Sequence, residues 1–174
     1  MNRPLLLSAR TEPPVRLRAV GPQDLEDLRV WKNSNKAGFF FKDDIMPEMQ
    51  LRWYEKYSAR ANDYMFIVEH GAGKAGCMGF RLLDDGTADT YNMISAPAAK
   101  GKGLMKAAML VMCSYVFEQH AKTIVCLVIK SNPAVHYYEH CGYAITGDGG
   151  DHHIMTLDRL KFKPVPYDVS MEMI

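Results

Sequence analysis

Ser95-Ala96-Pro97-Ala98-Ala99-Lys100-Gly101-Lys102-Gly103-Leu104-Met105-Lys106-Ala107-Ala108 is the stretch on which the reading of the fold turns. A strand-like run, Thr87 to Ile94, precedes it, and a helical pattern from Leu104 to about His120 follows. A turn that joins a strand to a helix presents the first N–H groups of the helix, which have no internal partner, and the helix dipole favours an anion there. Gly101 and Gly103 let that backbone come close to a ligand, and Lys100, Lys102 and Lys106 add positive charge. The stretch reads as a cradle for a pyrophosphate. A lone Gly-x-Gly in a basic turn fits an ordinary helix start equally well, so the surrounding chain has to discriminate.

The chain has 174 residues, enough for one domain with a real core. Hydrophobic residues make up 48% and charged residues 24%, the balance of a globular protein, and a formal charge of +1 excludes a global electrostatic attraction to nucleic acid or a membrane surface. The apolar run Leu5-Leu6-Leu7 is too short for a signal-peptide core. Cys77, Cys113, Cys126 and Cys141 form no Cys-x-x-Cys pair, and three of them sit in apolar runs, which suits reduced thiols in a cytoplasmic protein.

Residues 1–14 read as a loose arm, 15–160 as the domain and 161–174 as a tail. Val15 to Ala19 alternates as a short strand. Gly21-Pro22-Gln23-Asp24 starts a helix that carries Leu25, Leu28 and Trp31. The loop at 36–47 holds three adjacent aromatics, Phe39-Phe40-Phe41, which suit a plug over the core or a wall beside an acceptor site. A second helix is expected from about Pro47 to Arg60 with Leu51 and Tyr54 inward and Trp53 as a further candidate for that face. Tyr64 to Glu69, Ala75 to Leu83 and Thr87 to Ile94 form a meander of three strands. Thr123 to Ile129 is almost uniformly apolar and suits a strand covered on both faces after a helical crossover. Ser131-Asn132-Pro133 starts a helix over Ala134 to His140, and a hairpin closes the domain. The tail residues Val165, Tyr167, Val169 and Met171 are read as packing on the domain or on a second subunit, which would make a homodimer. This order is that of an α/β (α+β) domain, with a mostly antiparallel sheet of about seven strands and about four helices. The cradle lies where meander gives way to crossover, a usual place for ligands.

With these elements in place the chain resembles the GNAT superfamily of acyl-CoA-dependent N-acetyltransferases over roughly residues 15–158. Lys100-Gly101-Lys102-Gly103-Leu104-Met105, preceded by Pro97, is similar to the family's acetyl-CoA signature, with Lys100 for the usual Gln or Arg and Met105 for a usually small residue. Asn132-Pro133-Ala134-Val135-His136-Tyr137-Tyr138-Glu139-His140-Cys141-Gly142-Tyr143 is similar to its second motif. The front half, with Leu28-Arg29-Val30-Trp31-Lys32-Asn33, the phenylalanine loop and Gln50-x-x-Trp53-Tyr54, looks like members that acetylate amino sugars carried on a nucleotide. Acetyltransferases of ribosomal-protein N-termini share a related front.

The resemblance implies a mixed sheet binding acetyl-CoA, no metal, a small-molecule amine acceptor, and no nucleic-acid or membrane partner. The N–H groups of Gly101 to Met105, with Lys106 nearby, would hold the pyrophosphate. The strand at Asn92 to Ser95 would pair with the pantetheine arm, and an N–H near Met93 or Ile94 would polarise the thioester carbonyl. Asn132 would bond the pantetheine. Tyr138 would protonate the leaving thiolate, a role for which a phenol with a reference pKa of about 10 is matched; Tyr137, about 100° round the helix, would face elsewhere. Asp89 or Tyr91 would take the amine proton, since residues 89, 91 and 93 share one strand face; Glu69 and His70 are further candidates. Arg29, Trp31, Asn33, Phe39, Phe40, Trp53 and Arg81 would meet the acceptor. His136 and His140 share a helix face but lack a third metal ligand. The other readings are transfer to a protein N-terminus or another small amine, and a CoA-binding sensor without catalysis.

Overall fold

A computed structural model describes residues 5–171. Its nine strands lie in the order β7-β8-β6-β5-β4-β3-β2-β1-β9, where β1 is Leu5–Ala9, β2 Val15–Ala19, β3 Asp63–His70, β4 Gly73–Leu82, β5 Thr87–Ser95, β6 Thr123–Ile129, β7 Tyr143–Asp148, β8 His152–Leu157 and β9 Asp168–Met171. All neighbours pair antiparallel except β5 and β6. The helices are α1 (Leu25–Ser34), α2 (Pro47–Ser58), α3 (Leu104–Gln119) and α4 (Ala134–His140). The mixed, mostly antiparallel α/β architecture is the one expected, with two more strands than the sequence suggested.

Both extra strands come from the chain ends. Leu5–Ala9, read as part of a loose arm, pairs with β2 on one side and β9 on the other, and Leu7 is fully buried. The tail packs on its own domain. The Phe162 ring lies 5.3 Å from Phe117, the Val165 N–H donates to Ser114 Oγ at 2.9 Å, and the Tyr167 hydroxyl donates to Glu118 at 2.5 Å. Val169 and Met171 stay exposed. This wrap explains why α3 is buried on nearly every face: the sheet covers one side and the tail the other.

Two further expectations are corrected. On α2 Trp53 and Tyr54 pack against the core as expected, but Leu51 is exposed and its expected place is taken by Gln50, which is buried with Tyr57. On β6, Ile124, Cys126 and Val128 are buried but Leu127 is 45% exposed, so one face of this apolar strand is open rather than covered.

That open face marks how the sheet makes a site. β5 and β6 pair only from Thr87↔Thr123 to Asp89↔Val125 and then diverge. On its other side β5 bulges against β4 between Cys77 and Gly79, leaving Asn92 and Met93 without a register partner. Asn92 takes φ 52°, a left-handed conformation that asparagine tolerates better than most residues. The inserted residue also shifts the alternation. Asp89 and Tyr91 face with Arg81 and Gly79, and beyond the bulge it is Ile94, opposite Cys77, that continues this face. Met93 is displaced from the face it was expected to share with Asp89 and Tyr91.

Candidate active site

The cradle is a tight turn, Pro97–Ala99, followed by two left-handed glycines, Gly101 at φ 75° and Gly103 at φ 74°, the latter capping α3. Both glycines are needed for this path because other residues rarely take such angles. The N–H groups of Gly101, Gly103, Leu104, Met105 and Lys106 have no hydrogen-bond partner among the described residues. Lys100, Lys102 and Lys106 are exposed and make no ion pair among those residues. Unpaired donors, a helix dipole and three uncompensated cations converge on one exposed turn, which suits a polyanion.

Met105 does not crowd that turn. It is buried, and its sulfur lies where a Cβ on Gly76 would come within 2.9 Å. Gly76, at φ 151°, makes room for it under the cradle.

A cavity of about 370 Å³ lies in the opening between β5 and β6. Asp89 to Met93, Leu127, Val128, Asn132 and Tyr138 line it, and Phe39, Phe40 and Phe41 lie across it. Of the two adjacent tyrosines on α4, Tyr137 donates its hydroxyl to the Met105 carbonyl at 2.9 Å and so ties α4 to the first turn of α3. Tyr138 packs edge-on against Tyr137 and Tyr143, and its hydroxyl has no partner among the described residues. No fully buried side-chain oxygen lacks a partner there, so the unpaired Tyr138 oxygen is open to the cavity. Burial pushes its phenol well above the ordinary value, keeping it protonated. Asn132 accepts the Ala134 N–H at 2.9 Å, capping α4, and donates to the Gly38 carbonyl at 3.0 Å, which ties the phenylalanine loop down.

A second cavity, of about 230 Å³, lies between α1, α2 and the sheet. Leu28, Phe41, Ile45, Met49, Trp53, Met65 and Ile94 give it apolar walls; Lys32, Gln50, Cys77 and Asn92 are its polar or titratable contributors. No carboxylate lines it. Gln50 is only 7% exposed and its amide has no partner among the described residues, so it offers a donor and an acceptor to whatever enters. Lys32, Phe41 and Asn92 line both cavities and form their common wall.

The expected acceptor residues divide. Trp53 lines the second cavity, stacked on Tyr57 at 5.2 Å. Phe39 and Phe40 line the slot between the strands, the first against Lys32 and the second edge-on to His152 at 5.4 Å. Trp31 is in the core. Asn33 brackets the Ile45 backbone with bonds of 2.8 and 3.0 Å, and Arg29 pairs with Glu26 and the Ile45 carbonyl; both hold the loop in place. Arg81 pairs with buried Asp63 at 3.0 Å. Tyr91 donates its hydroxyl to the same carboxylate, and burial together with that charge pushes its phenol far above the ordinary value, which leaves it unfit to accept a proton. Asp89 lines the slot but not the second cavity, and burial raises its carboxyl. The sequence points to Gln50 only within Gln50-x-x-Trp53-Tyr54, and to Asn92 only through the backbone of the strand expected beside the pantetheine arm; it assigns neither side chain a role. Nothing local signals that Gln50 turns inward on α2 or that β5 bulges at Asn92. Among the described residues no group of His, Cys, Asp or Glu could hold a metal ion, and no helix is long and apolar enough to cross a membrane.

Comparison with known proteins adds an independent line. Residues 15–144 match the model of the acetyltransferase (GNAT) domain. No curated protein matches the chain. Among solved structures the chain is similar to spermidine N-acetyltransferase from Vibrio cholerae in complex with CoA and spermine, at 23% identity and TM-score 0.73, over 85% of this chain and 97% of that one. It is also similar to a domain from Methanocaldococcus jannaschii, at 17% identity and TM-score 0.72 over 82% and 97% of the two chains. FdhC, a nucleotide-linked sugar GNAT, is similar at 17% identity and TM-score 0.73 over 85% and 88%. At these identities the neighbours establish the fold, while the family match covers the span from β2 to β7 that holds both cavities. The family match spans three quarters of the chain, and the chain belongs to the GNAT acetyltransferases as an acetyl-CoA-dependent N-acetyltransferase.

Proposed function

We propose that the acceptor is the primary amine of a nucleotide-linked amino-deoxy sugar. The observation that carries this reading is the acceptor cavity without a carboxylate. A polyamine bears several positive charges, and desolvating them in an apolar cavity beside Lys32 is costly unless each is paired. A sugar brings one amine, hydroxyls for the Gln50 amide and a ring for the walls around Trp53; the phosphates of its nucleotide would tolerate the basic surroundings.

In this reading the CoA pyrophosphate sits on the N–H groups of Gly101 to Met105 with Lys100, Lys102 and Lys106 around it. The pantetheine arm lies in the slot between β5 and β6, where Asn132 would exchange the Gly38 carbonyl for the arm. The amine nitrogen attacks the thioester carbonyl directly, with the N–H of Met93 or Ile94 on the developing oxyanion, a contribution of about 3 kcal/mol for a well-placed donor. Tyr138 donates its proton to the departing thiolate. A sensor that only bound CoA would have no use for a proton donor open to the slot. Four buried free thiols suit the reducing cytoplasm.

Thiol release from acetyl-CoA tests this against a panel of 4-amino-4-deoxy sugar nucleotides, spermidine and an N-terminal peptide amine. Turnover is expected with at least one sugar nucleotide at a kcat/KM at least tenfold above spermidine. Preferred turnover of spermidine or the peptide overturns the acceptor assignment.

A further inference from the structure

We propose that Lys32 is the general base of acetyl transfer, its Nζ taking the proton of the acceptor ammonium at the wall shared by the acceptor cavity and the cofactor slot. The proposal rests on N-acetyl transfer at this site and not on the identity of the acceptor.

Placement comes first. The amine of any acceptor has to reach the thioester where the two cavities meet, and Lys32, Phe41 and Asn92 are the residues that line both. Of these only Lys32 can carry a proton away. Its Nζ is fixed from two sides: it bonds Asn92 Oδ1 and lies 3.9 Å from the centre of the Phe39 ring. Asn92 can offer its oxygen there because it is the left-handed residue of the bulge in β5, a strained position of the kind that clusters at working sites.

The surroundings do not hold a charge on Lys32. It makes no ion pair among the described residues. From β4 it faces the Cys77 thiol, which burial keeps protonated by pushing it up to about 12. From α2 it faces Met49, Gln50 and Trp53, none of them charged. From β5 Asp89 and Tyr91 line the slot, the carboxyl raised by burial against the opposing charge of Arg81 and the phenol bonded to Asp63, and from α4 comes neutral Tyr138. One amide oxygen and one ring face replace only part of the hydration that an ammonium without a counter-ion loses, and burial accordingly lowers Lys32 to about 8. About a tenth is then free amine at pH 7 and about half at pH 8, against well under a thousandth at pH 7 for an ordinary lysine, which brings the group into the range of an efficient base.

The protons balance. Neutral Lys32 takes one proton from the acceptor ammonium and later gives it to water. The free amine then attacks the thioester carbon, and its lone pair forms the new C–N bond. As the C–S bond breaks, the sulfur takes the Tyr138 hydroxyl proton. The second proton of the acetylated nitrogen, lost as the amide forms, restores Tyr138. The products are the acetamide, CoA thiol and one proton.

Two measurements decide it. Titration of protein carrying 13Cε-lysine, with the Lys32 signal assigned by its loss in Lys32→Arg, is expected to give an apparent pKa near 8; a value near the ordinary 10.5 overturns the proposal. This uses the unmodified chain and needs no acceptor. Kinetics follow with whichever primary amine turns over fastest. Lys32→Arg keeps the charge and cannot act as a base near neutrality, so kcat should fall about 100-fold or more with acetyl-CoA binding unchanged, and the rise of kcat as pH increases toward about 8 should vanish. An Arg variant that retains kcat assigns Lys32 to holding an anionic group of the acceptor and overturns the proposal. If no sugar nucleotide reacts but another amine does, the acceptor assignment fails while this one is still decided.

Discussion

Gly76→Ala should disable the link between the central sheet and the cradle. A Cβ at Gly76 would lie 2.1 Å from the Ile94 carbonyl oxygen and 2.9 Å from Met105 Sδ, and the backbone sits at φ 151°, where an L side chain is strained whatever the space. The sulfur is the end of a flexible side chain and can move. The carbonyl cannot move without opening the Gly76↔Ser95 and Cys77↔Ile94 register. Relief therefore costs backbone strain of about 1–3 kcal/mol and one or two ladder hydrogen bonds at about 0.5–1.5 kcal/mol each. The sum centres on about 3 kcal/mol, equivalent to a fall in Tm of about 6–12 °C for a domain of this size. Thermal and urea unfolding measure it. Adding Met105→Ala to Gly76→Ala should recover little, because the carbonyl clash persists. A Gly76→Ala Tm within 2 °C of wild type, or full recovery by Met105→Ala, would refute the reasoning.

Other expectations follow from the same geometry. Asp24 is fully buried and bonded by Arg18 at 2.9 Å, Lys74 at 2.8 Å and the Gly21 N–H at 2.9 Å, so Asp24→Ala should cost about 3–5 kcal/mol in urea unfolding. Burial alone would raise this carboxyl; the bonds from Arg18, Lys74 and Gly21 outweigh it and hold the group below its usual range. Its contribution is therefore present above a pH of about 4 and lost as pH falls through the lower folded value, and a pH series of unfolding curves for wild type against Asp24→Asn should converge toward acid. Tyr137→Phe removes the bond to the Met105 carbonyl and should cost about 0.5–1.5 kcal/mol of stability while turnover persists, readable from Tm and kcat together.

What was legible in the chain was the part whose chemistry is local. Gly101 and Gly103 announce left-handed backbone, and the Asn132-Pro133 helix start places Tyr138 by register alone. What was not legible depends on long-range pairing. Leu5 to Ala9 looked like an arm because its partners are β2 and a strand, Asp168–Met171, whose side chains are all exposed and which joins by backbone alone. One position of α2 was misread, because a polar residue, Gln50, faces inward to line a cavity while Leu51 faces out; Trp53 and Tyr54 pack inward as their spacing suggested. The bulge at Asn92 has no sequence mark, so the displacement of Met93 could not be foreseen, and with it went the junction that gives Lys32 its surroundings. Arg29 and Asn33 lay in the right region for acceptor contacts, yet their geometry spends both on the Ile45 loop.

The account rests on chemistry at the slot under α4, and Tyr138→Phe tests it most directly. With acetyl-CoA and the best amine acceptor, followed by thiol release, kcat should fall about 100- to 10,000-fold while KM for acetyl-CoA changes little, because the ring keeps its packing and only the proton is lost. A kcat equal to that of wild type would contradict the account.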